Sequence, residues 1–316
     1  MKNKLLQLLL ATTILTACEG SDDNNLKLTG PNLQFKFEFD KTQARLDNLG
    51  NEVTIAEGHA ALSPEFNSMS VHYIEFVPNK WTMVGEGAVV YEGVSMPSVS
   101  SEFEKAIVFD EAIQSGANEI FLEVPTSKLP IGTYEYMRVS VTYQNADVRF
   151  NLINLPSPLP SELKDQTGTL AGFIGFNTYI TSHQVKNYSI KVNGEKPQGF
   201  WAFEPQLDDP YQKYITASIP ITGQAPAGST TVVNLLDEFG VTIPQGSCIV
   251  TGKLKEPLVI TGDETVDKQV ILSFSVNNSF EWVDTNQNGE WDIDVTGVVQ
   301  ENVVDMGLRG LIIEME

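Results

Sequence analysis

Hydrophobic and polar residues alternate along much of the chain. In Leu33–Phe39 every odd-numbered position is apolar and every even-numbered position is polar. A period of two places successive side chains on opposite faces of a β-strand, so this segment is predicted to bury one face and expose the other. Helical periodicity is limited to short segments, of which Thr42–Asn48 and Val232–Phe239 are examples. Similar alternation recurs at 70–77, 119–124, 135–143, 147–153, 169–176, 199–204, 247–254, 269–276 and 309–313. The pattern predicts an all-β protein.

Turn-forming residues separate these runs at intervals typical of a β-sandwich. The strongest break is 155–161, LPSPLPS, whose prolines favour a semi-rigid, extended linker. The sequence therefore predicts two β-sandwich domains, at 26–155 and 162–316, joined by a proline-rich linker at 156–161. A single larger sandwich with a proline-rich crossover is the alternative.

One segment resembles a known group of secreted modules. Leu129–Tyr134, LPIGTY, is followed by the alternating run Met137–Val141. This order of a small turn, Gly-x-Tyr and a strand is similar to that of several bacterial secreted β-sandwich modules, including MbnP-like domains. The resemblance implies a sandwich fold for the first half, and no copper site is carried over from it.

The N-terminus has the layout of a secretory signal. Lys2 and Lys4 precede an apolar run, 5–17, that is too short to span a bilayer as a mature helix. The run ends in Leu-Thr-Ala-Cys at 15–18, which resembles the bacterial lipobox. The resemblance implies that the signal peptide, 1–17, is removed and that Cys18 carries a diacylglyceryl group. Buried acyl chains would hold the protein to a membrane without a spanning helix.

A short acidic segment, 18–25, follows the lipobox and contains Ser21-Asp22-Asp23. It is similar to the surface-export signal of Bacteroidota lipoproteins, and it would also serve as a solvated tether. Together with the lipobox it implies a lipid-anchored protein of the outer membrane that faces the cell surface.

The excess of acidic over basic residues limits the classes of partner that the protein can bind. The sequence has 20 Lys and Arg against 41 Asp and Glu, a formal net charge of −21. Such a field repels phosphate backbones, so we expect no nucleic-acid partner. With Cys18 lipidated, Cys248 is the one remaining thiol and no intramolecular disulfide can form. Stability must therefore come from a hydrophobic core.

The stretch DTNQNGEWDID, Asp284–Asp294, has the spacing of a calcium-binding loop. Oxygen-bearing side chains stand at loop positions 1, 3, 5 and 9, a glycine stands at 6, and position 7 contributes its carbonyl. Val295 replaces the usual bidentate Glu at position 12, so Asp294 or a residue of another loop would have to substitute. A metal-free hairpin with a primed turn at Asn288-Gly289 is the alternative. The predicted calcium ligands are Asp284, Asn286, Asn288, Glu290, Asp292 and Asp294.

A second candidate site is the aromatic-rich strand near position 200. Aromatic faces beside amides and carboxylates hold sugar rings in many extracellular modules, which makes Trp201, Phe203 and Tyr211 candidate ligand-binding residues. Alternation places Trp201 and Phe203 on one face of the strand and Phe200 and Ala202 on the other. Aromatic residues on both faces also fit a central strand that is packed on both sides, which is the alternative.

Recognisable catalytic motifs are absent from the sequence. It has no Gly-x-Ser-x-Gly elbow and no His-Glu-x-x-His pattern, and its three histidines are scattered. We therefore expect a non-catalytic surface lipoprotein with a structural calcium site that acts in binding or adhesion, to a glycan or an envelope protein. The alternatives are a carbohydrate-active hydrolase, with two facing carboxylates, and a fimbrial or structural surface subunit.

Overall fold

A computed structural model of the chain describes residues 30–207, 211, 220–225, 236, 239–243, 248–306 and 308–316. The predicted signal peptide at 1–17, Cys18 and the tether at 18–25 lie outside these residues. Within them the structure has twenty β-strands, two 3₁₀ helices and no α-helix, so the all-β prediction is confirmed. No helix in this part of the chain is long and apolar enough to cross a membrane. The helix predicted at Thr42–Asn48 is wrong, because the segment forms bends and irregular structure.

The strands are short apart from four that exceed ten residues. The 3₁₀ helices span Phe109–Glu111 and Thr126–Lys128. The first ten strands are β1 Asn32–Asp40, β2 His59–Leu62, β3 Glu65–Val77, β4 Ala88–Glu92, β5 Ser95–Pro97, β6 Lys105–Val108, β7 Gln114–Ser115, β8 Ile120–Pro125, β9 Gly132–Ile153 and β10 Glu162–Phe173. The second ten are β11 Thr178–Gln184, β12 Ser189–Lys196, β13 Phe200–Gln206, β14 Ile221–Gln224, β15 Cys248–Ile260, β16 Lys268–Ser275, β17 Phe280–Val283, β18 Asp292–Asp294, β19 Val303–Met306 and β20 Leu311–Met315.

The strands form one large sheet and two small ones. The large sheet has thirteen strands, and its main path runs in the order β14-β13-β10-β9-β15-β20-β16-β1-β8. β3 and β18 also pair with β9, and β4 and β7 pair with β3. The small sheets have the orders β12-β11-β6-β5 and β19-β17-β2.

Strand β9, with 22 residues, pairs with four other strands of the large sheet, β3, β10, β15 and β18. Its first part, 132–141, pairs with β15, and its second part, 143–153, pairs with β10. The sequence predicted two strands here, at 135–143 and 147–153. They form one strand because the polar residues between them, including Gln144 and Asn145, pair with residues of both β3 and β10.

Strands from the two sides of the predicted linker are neighbours in the large sheet. β1 lies parallel to β16, with Leu33 opposite Lys268, and β9 pairs with β15. The linker, 156–161, connects the antiparallel neighbours β9 and β10, and across it the N–H of Leu155 donates to the carbonyl of Ser161 at 3.1 Å. Strands of the two predicted halves therefore share one sheet.

The main core follows the predicted alternation. Leu33, Phe35 and Phe37 of β1 are fully buried in it, as expected of the apolar face of this strand. Tyr134, of the Gly-x-Tyr segment, donates its hydroxyl hydrogen bond to the carbonyl of Pro130 at 2.8 Å. A tyrosine whose hydroxyl bonds to the backbone a few residues upstream is known from β-sandwiches as a tyrosine corner. Here this hydrogen bond fixes the start of β9.

Candidate functional site

A cleft of about 340 Å³ lies between strands β13 and β14 and the segment 291–303. Trp201, Phe203, Ile221 and Gln224 line one side, and residues between Trp291 and Val303 line the other. Its volume falls in the lower part of the range of small-molecule sites, about 300–1,000 Å³. The cleft therefore brings together the aromatic strand and the C-terminal end of the acidic loop, the two regions that the sequence singled out.

The aromatic side of the cleft is built on β13, which lies between β10 and β14. Phe200 and Ala202 point into a second hydrophobic core, whereas Phe203 points into the main core and Trp201 packs against its edge. The predicted division of the strand into two faces is confirmed. Phe203 is 1% exposed and serves as a core residue, and Trp201 is partly exposed.

Two glycines leave the space that the aromatic rings occupy. Gly223 of β14 stands directly opposite Trp201, and a Cβ at this glycine would lie 2.2 Å from Cζ2 of the indole ring. Likewise, a Cβ at Gly168 of β10 would lie 2.1 Å from Cζ of Phe203. Aromatic rings that cover cross-strand glycines are held in one orientation by the sheet beneath them. Trp201 therefore presents a fixed surface to the cleft.

Tyr211, the third predicted ligand-binding residue, has a different position. It is partly buried, packs against the main core and is not among the described residues that line the cleft. The structure thus brings two of the three predicted aromatic residues to the cleft.

The acidic loop connects two different sheets. β17, before it, pairs with β2 and β19, whereas β18, after it, pairs in parallel with β9. β17 and β18 therefore do not pair with each other as the two strands of a hairpin would. The backbone agrees, because φ is positive at Gln287 (60°) and Gly289 (75°) and not at Asn288, whereas a type I′ turn at Asn288-Gly289 needs both of its residues in that region.

The polar side chains of the loop converge on Asp292. Its Oδ2 accepts hydrogen bonds from the side-chain amides of Asn286 at 2.5 Å and Asn288 at 2.9 Å. The carboxylate of Asp284 accepts the backbone N–H groups of Asn288 and Gly289. The side chains at loop positions 3, 5 and 9 therefore meet, and the carboxylate at position 1 holds the backbone between them.

Asn151 of β9, which the sequence analysis missed, holds the loop to the large sheet. Its buried amide donates to Glu290 Oε2 at 2.7 Å and to Asp292 Oδ1 at 2.9 Å, and its backbone N–H donates to the carbonyl of Trp291. The ring of Trp291 packs edge-on against Phe203 with 5.1 Å between ring centroids. No local motif marks Asn151, because its role depends on the pairing of β18 with β9.

Asp294 does not join the other predicted ligands. Its Oδ1 accepts the hydroxyl and the backbone N–H of Thr296, and its Oδ2 accepts the N–H of Val299. The carboxylate therefore stabilises the turn that follows β18. The prediction that Asp294 completes the loop in place of a position-12 glutamate is not supported by this arrangement.

Glu301, another residue that the sequence analysis missed, lies where Asp294 was expected. It is 8% exposed, its Oε2 accepts the N–H of Asp292 at 2.7 Å, and its Oε1 makes no hydrogen bond of ordinary geometry. Burial raises the pKa of Glu301, and the negative charges of Asp292 and Asp284 raise it further. Its place in the sequence gave no signal, because an irregular turn brings it back to β18.

The acidic loop has no basic counterpart. Of the ion pairs between described residues, none includes Asp284, Asp292 or Glu301. No group of three or more His, Cys, Asp or Glu side chains in the described part of the chain is arranged to hold a metal ion by itself. A cation here would therefore need amide and carbonyl oxygens as well as carboxylates.

A second cavity, of about 480 Å³, lies beside β3. All three of its glutamates, Glu92, Glu102 and Glu104, are exposed, so it lacks the buried carboxylic acid that a glycosidase uses as general acid. The buried His72 also lines it, and burial, followed by the charge of Lys105, lowers the pKa of this imidazole to about 4. None of the sequence-predicted site residues lines this cavity.

Comparisons with models of protein families, with curated proteins and with solved structures find no match to this chain. Its function is therefore inferred from the cleft and the loop themselves.

Proposed function

We propose that the chain is a non-catalytic, lipid-anchored surface protein that binds neutral saccharides in the cleft between Trp201 and the segment 291–303. The observation that supports this function is the meeting of the two regions at one cavity: a fixed, partly exposed indole on one side and a polar wall on the other. Calcium, bound by the acidic loop that precedes this wall, is the proposed cofactor.

The chemistry of the lining favours a saccharide. A sugar ring presents apolar C–H groups on its face and hydroxyl groups around its edge. The face packs on an aromatic ring such as Trp201, and the hydroxyls bond to amides and carboxylates. Gln224, Gln300 and Asn302 supply amides to the lining of the cleft.

The charge of the site favours a neutral ligand. The described residues that line the cleft include Asp292, Asp294 and Glu301 and no Lys, Arg or His. The whole chain carries a formal charge of −21. The negative charge of the cleft and that of the whole chain both repel acidic sugars, so glycans that carry sialic acid, sulfate or uronic acid are expected to be excluded.

Binding without catalysis is favoured over the hydrolase alternative by the state of Asp292. Both of its oxygens already accept side-chain amides, Oδ1 from Asn151 and Oδ2 from Asn286 and Asn288. A nucleophile or general base needs an oxygen that is free to reach substrate or water. The bonded carboxylate fits a structural role instead.

The lipobox and the acidic segment 18–25 support attachment to the outer membrane with the body of the protein outside the cell. In this proposal Cys18→Ser abolishes incorporation of labelled fatty acid, and the protein is no longer recovered with membranes. Labelling that persists in the variant would contradict the lipid anchor.

A glycan array tests the binding function. The wild-type protein is expected to bind neutral hexose-containing oligosaccharides, and Trp201→Ala is expected to lose that binding. Trp81→Ala is the matched control, because Trp81 is also a partly exposed tryptophan, at 42%, but lies outside the cleft. Binding that survives in Trp201→Ala, or binding of acidic glycans alone, would contradict the proposal. Retention of an envelope protein with no glycan bound would favour the protein-partner alternative.

A further inference from the structure

Three carboxylates at or beside the acidic loop form no ion pair with any described residue. Those of Asp284 and Asp292 belong to the loop itself, and that of Glu301 comes from the turn that follows β18. Like charges at short range repel, and a buried carboxylate without a counter-charge costs several kcal/mol in proteins, on the order of the loss of a buried ion-pair partner. A bound cation would offset this repulsion.

The position of Glu301 distinguishes a cation site from a chance acidic cluster. The residue is more than nine-tenths buried, and Ile293 pairs with Gln300 so that Glu301 lies against the start of β18. Its Oε2 bonds to the backbone N–H of Asp292, the N–H of Asn286 also acts on the carboxylate, and its buried Oε1 makes no hydrogen bond of ordinary geometry. Buried polar atoms in proteins usually have a partner, so this oxygen is available to a ligand.

We propose that Glu301 is the carboxylate ligand that completes a calcium site in the acidic loop, in the place that Val295 leaves vacant in the sequence pattern. This inference rests on the calcium site of the proposed function and not on saccharide binding. The proposed ligands are Asp284, Asn286, Asn288, the carbonyl of Glu290, Asp292 and Glu301. With Glu301 bidentate they supply seven oxygens, within the usual range of six to eight for calcium.

The amide side chains fit this assignment after a simple rotation. Asn286 and Asn288 both direct their NH₂ groups at Oδ2 of Asp292. Turning each amide by half a revolution exchanges nitrogen for oxygen and leaves three oxygens facing one another, which is favourable only around a cation. The rotation also gives up the hydrogen bonds that the two amide oxygens accept from the N–H groups of Asn288 and Glu290, which the cation would have to offset. The same side chains can therefore close the loop by hydrogen bonds without metal and coordinate calcium with it.

Calcium bound in this way would join the loop to the wall of the cleft. Glu301 stands next to Gln300 and Asn302, whose amides line the cleft. Coordination by Glu301 would hold this segment against β18. Calcium would then favour saccharide binding, and by thermodynamic linkage saccharide would favour calcium binding to the same extent.

Terbium luminescence tests the proposal on the full-length, detergent-solubilised protein. Terbium ions bind at calcium sites, and Trp291, adjacent to Asp292, is positioned to sensitise them. The wild type is expected to give terbium emission that calcium displaces. Glu301→Gln is expected to weaken calcium binding about tenfold or more, because it removes a charged bidentate ligand. Glu123→Gln, the matched control, is expected to keep wild-type calcium affinity, because Glu123 lies in β8, outside the acidic loop and the cleft.

Thermal unfolding distinguishes loss of a ligand from loss of the fold. In EDTA, Glu301→Gln is expected to melt above the wild type, because one of three mutually repelling carboxylates is gone. In millimolar calcium it is expected to melt below the wild type. The same order of melting temperatures in both buffers, wild-type calcium affinity in Glu301→Gln, or no calcium displacement in the wild type would each overturn the proposal. Saccharide binding is scored separately on the array, so either proposal can fail while the other stands.

Discussion

The substitution Gly223→Ala probes the aromatic side of the cleft with a single added methyl group. Its Cβ would lie 2.2 Å from Cζ2, 2.5 Å from Cε2 and 2.9 Å from Cη2 of Trp201, whereas ordinary contacts begin at 3.4 Å. The indole must therefore move by about 1 Å or more, because β14 is held by its ladder to β13.

The expected cost combines two opposing effects. Overpacking a well-packed site costs about 1–3 kcal/mol. Replacing a glycine within a strand returns about 0.5–1 kcal/mol, because the unfolded chain loses conformational freedom. We expect a net loss of about 1–2 kcal/mol, which lowers the melting temperature by a few degrees, at about 2–4 °C per kcal/mol for a chain of this size.

Urea unfolding followed by tryptophan fluorescence measures this change. Gly194→Ala is the matched control: Gly194 is also in an antiparallel strand, but its nearest neighbour, the carbonyl oxygen of Val192, would be 4.0 Å from the added Cβ. We expect the control to be neutral or slightly stabilising. Gly223→Ala is also expected to weaken saccharide binding, since it displaces the ring on which the sugar packs.

A double-mutant cycle gives the result that would refute this reasoning. In a Trp201→Ala background the methyl group meets no ring, so Gly223→Ala should cost nothing or stabilise the protein slightly. An equal loss of stability in both backgrounds would mean that the Trp201–Gly223 contact is not the cause.

Two further predictions concern buried charge. Burial lowers the pKa of both His72 and His183 to about 4 from 6.5, so the folded state binds fewer protons than the unfolded state between these values. The stability that the neutral histidines contribute is fully present above pH 6.5 and is lost as the pH falls toward 4, by up to about 3 kcal/mol for each histidine. His183→Gln should reduce this loss, which urea titrations at pH 7 and pH 4.5 measure. An unchanged dependence of the unfolding free energy on pH would contradict the assignment. Glu281 forms ion pairs with the buried guanidinium groups of Arg45 and Arg309. Glu281→Ala should therefore destabilise the protein by about 3–5 kcal/mol, because it leaves both positive charges buried without a partner. A loss below about 1 kcal/mol in calorimetry would show that the network contributes little.

Local patterns in the sequence predicted the strands well. Alternation located β1, β13 and β16, because each has one face that packs on a core and a period of two reports that directly. The same reasoning assigned Trp201 and Phe203 to one face of β13. The pairing of β9 with β10 across the prolines at 156–161 did not follow from local patterns, because it depends on contacts between strands.

The candidate site could be predicted only in part. The alternating Asp and Asn residues of 284–292 indicate a loop whose oxygens converge, since that convergence depends on short-range geometry. Asn151 and Glu301 could not be found in this way, because they reach the loop through the parallel pairing of β18 with β9 and through the turn at 295–300. The approach of the aromatic strand to the same cavity likewise depends on sheet order, which alternation alone does not determine.

The central claim is that Trp201 and the calcium-bound loop form a single binding site. Calorimetric titration of the neutral oligosaccharide that binds best on the array tests it most directly, with the wild type and Trp201→Ala, each in calcium and in EDTA. The account predicts that Trp201→Ala weakens binding about tenfold, because the sugar loses the aromatic face on which it packs, and that EDTA weakens wild-type binding. Equal affinity for the wild type and the variant in both buffers would contradict it.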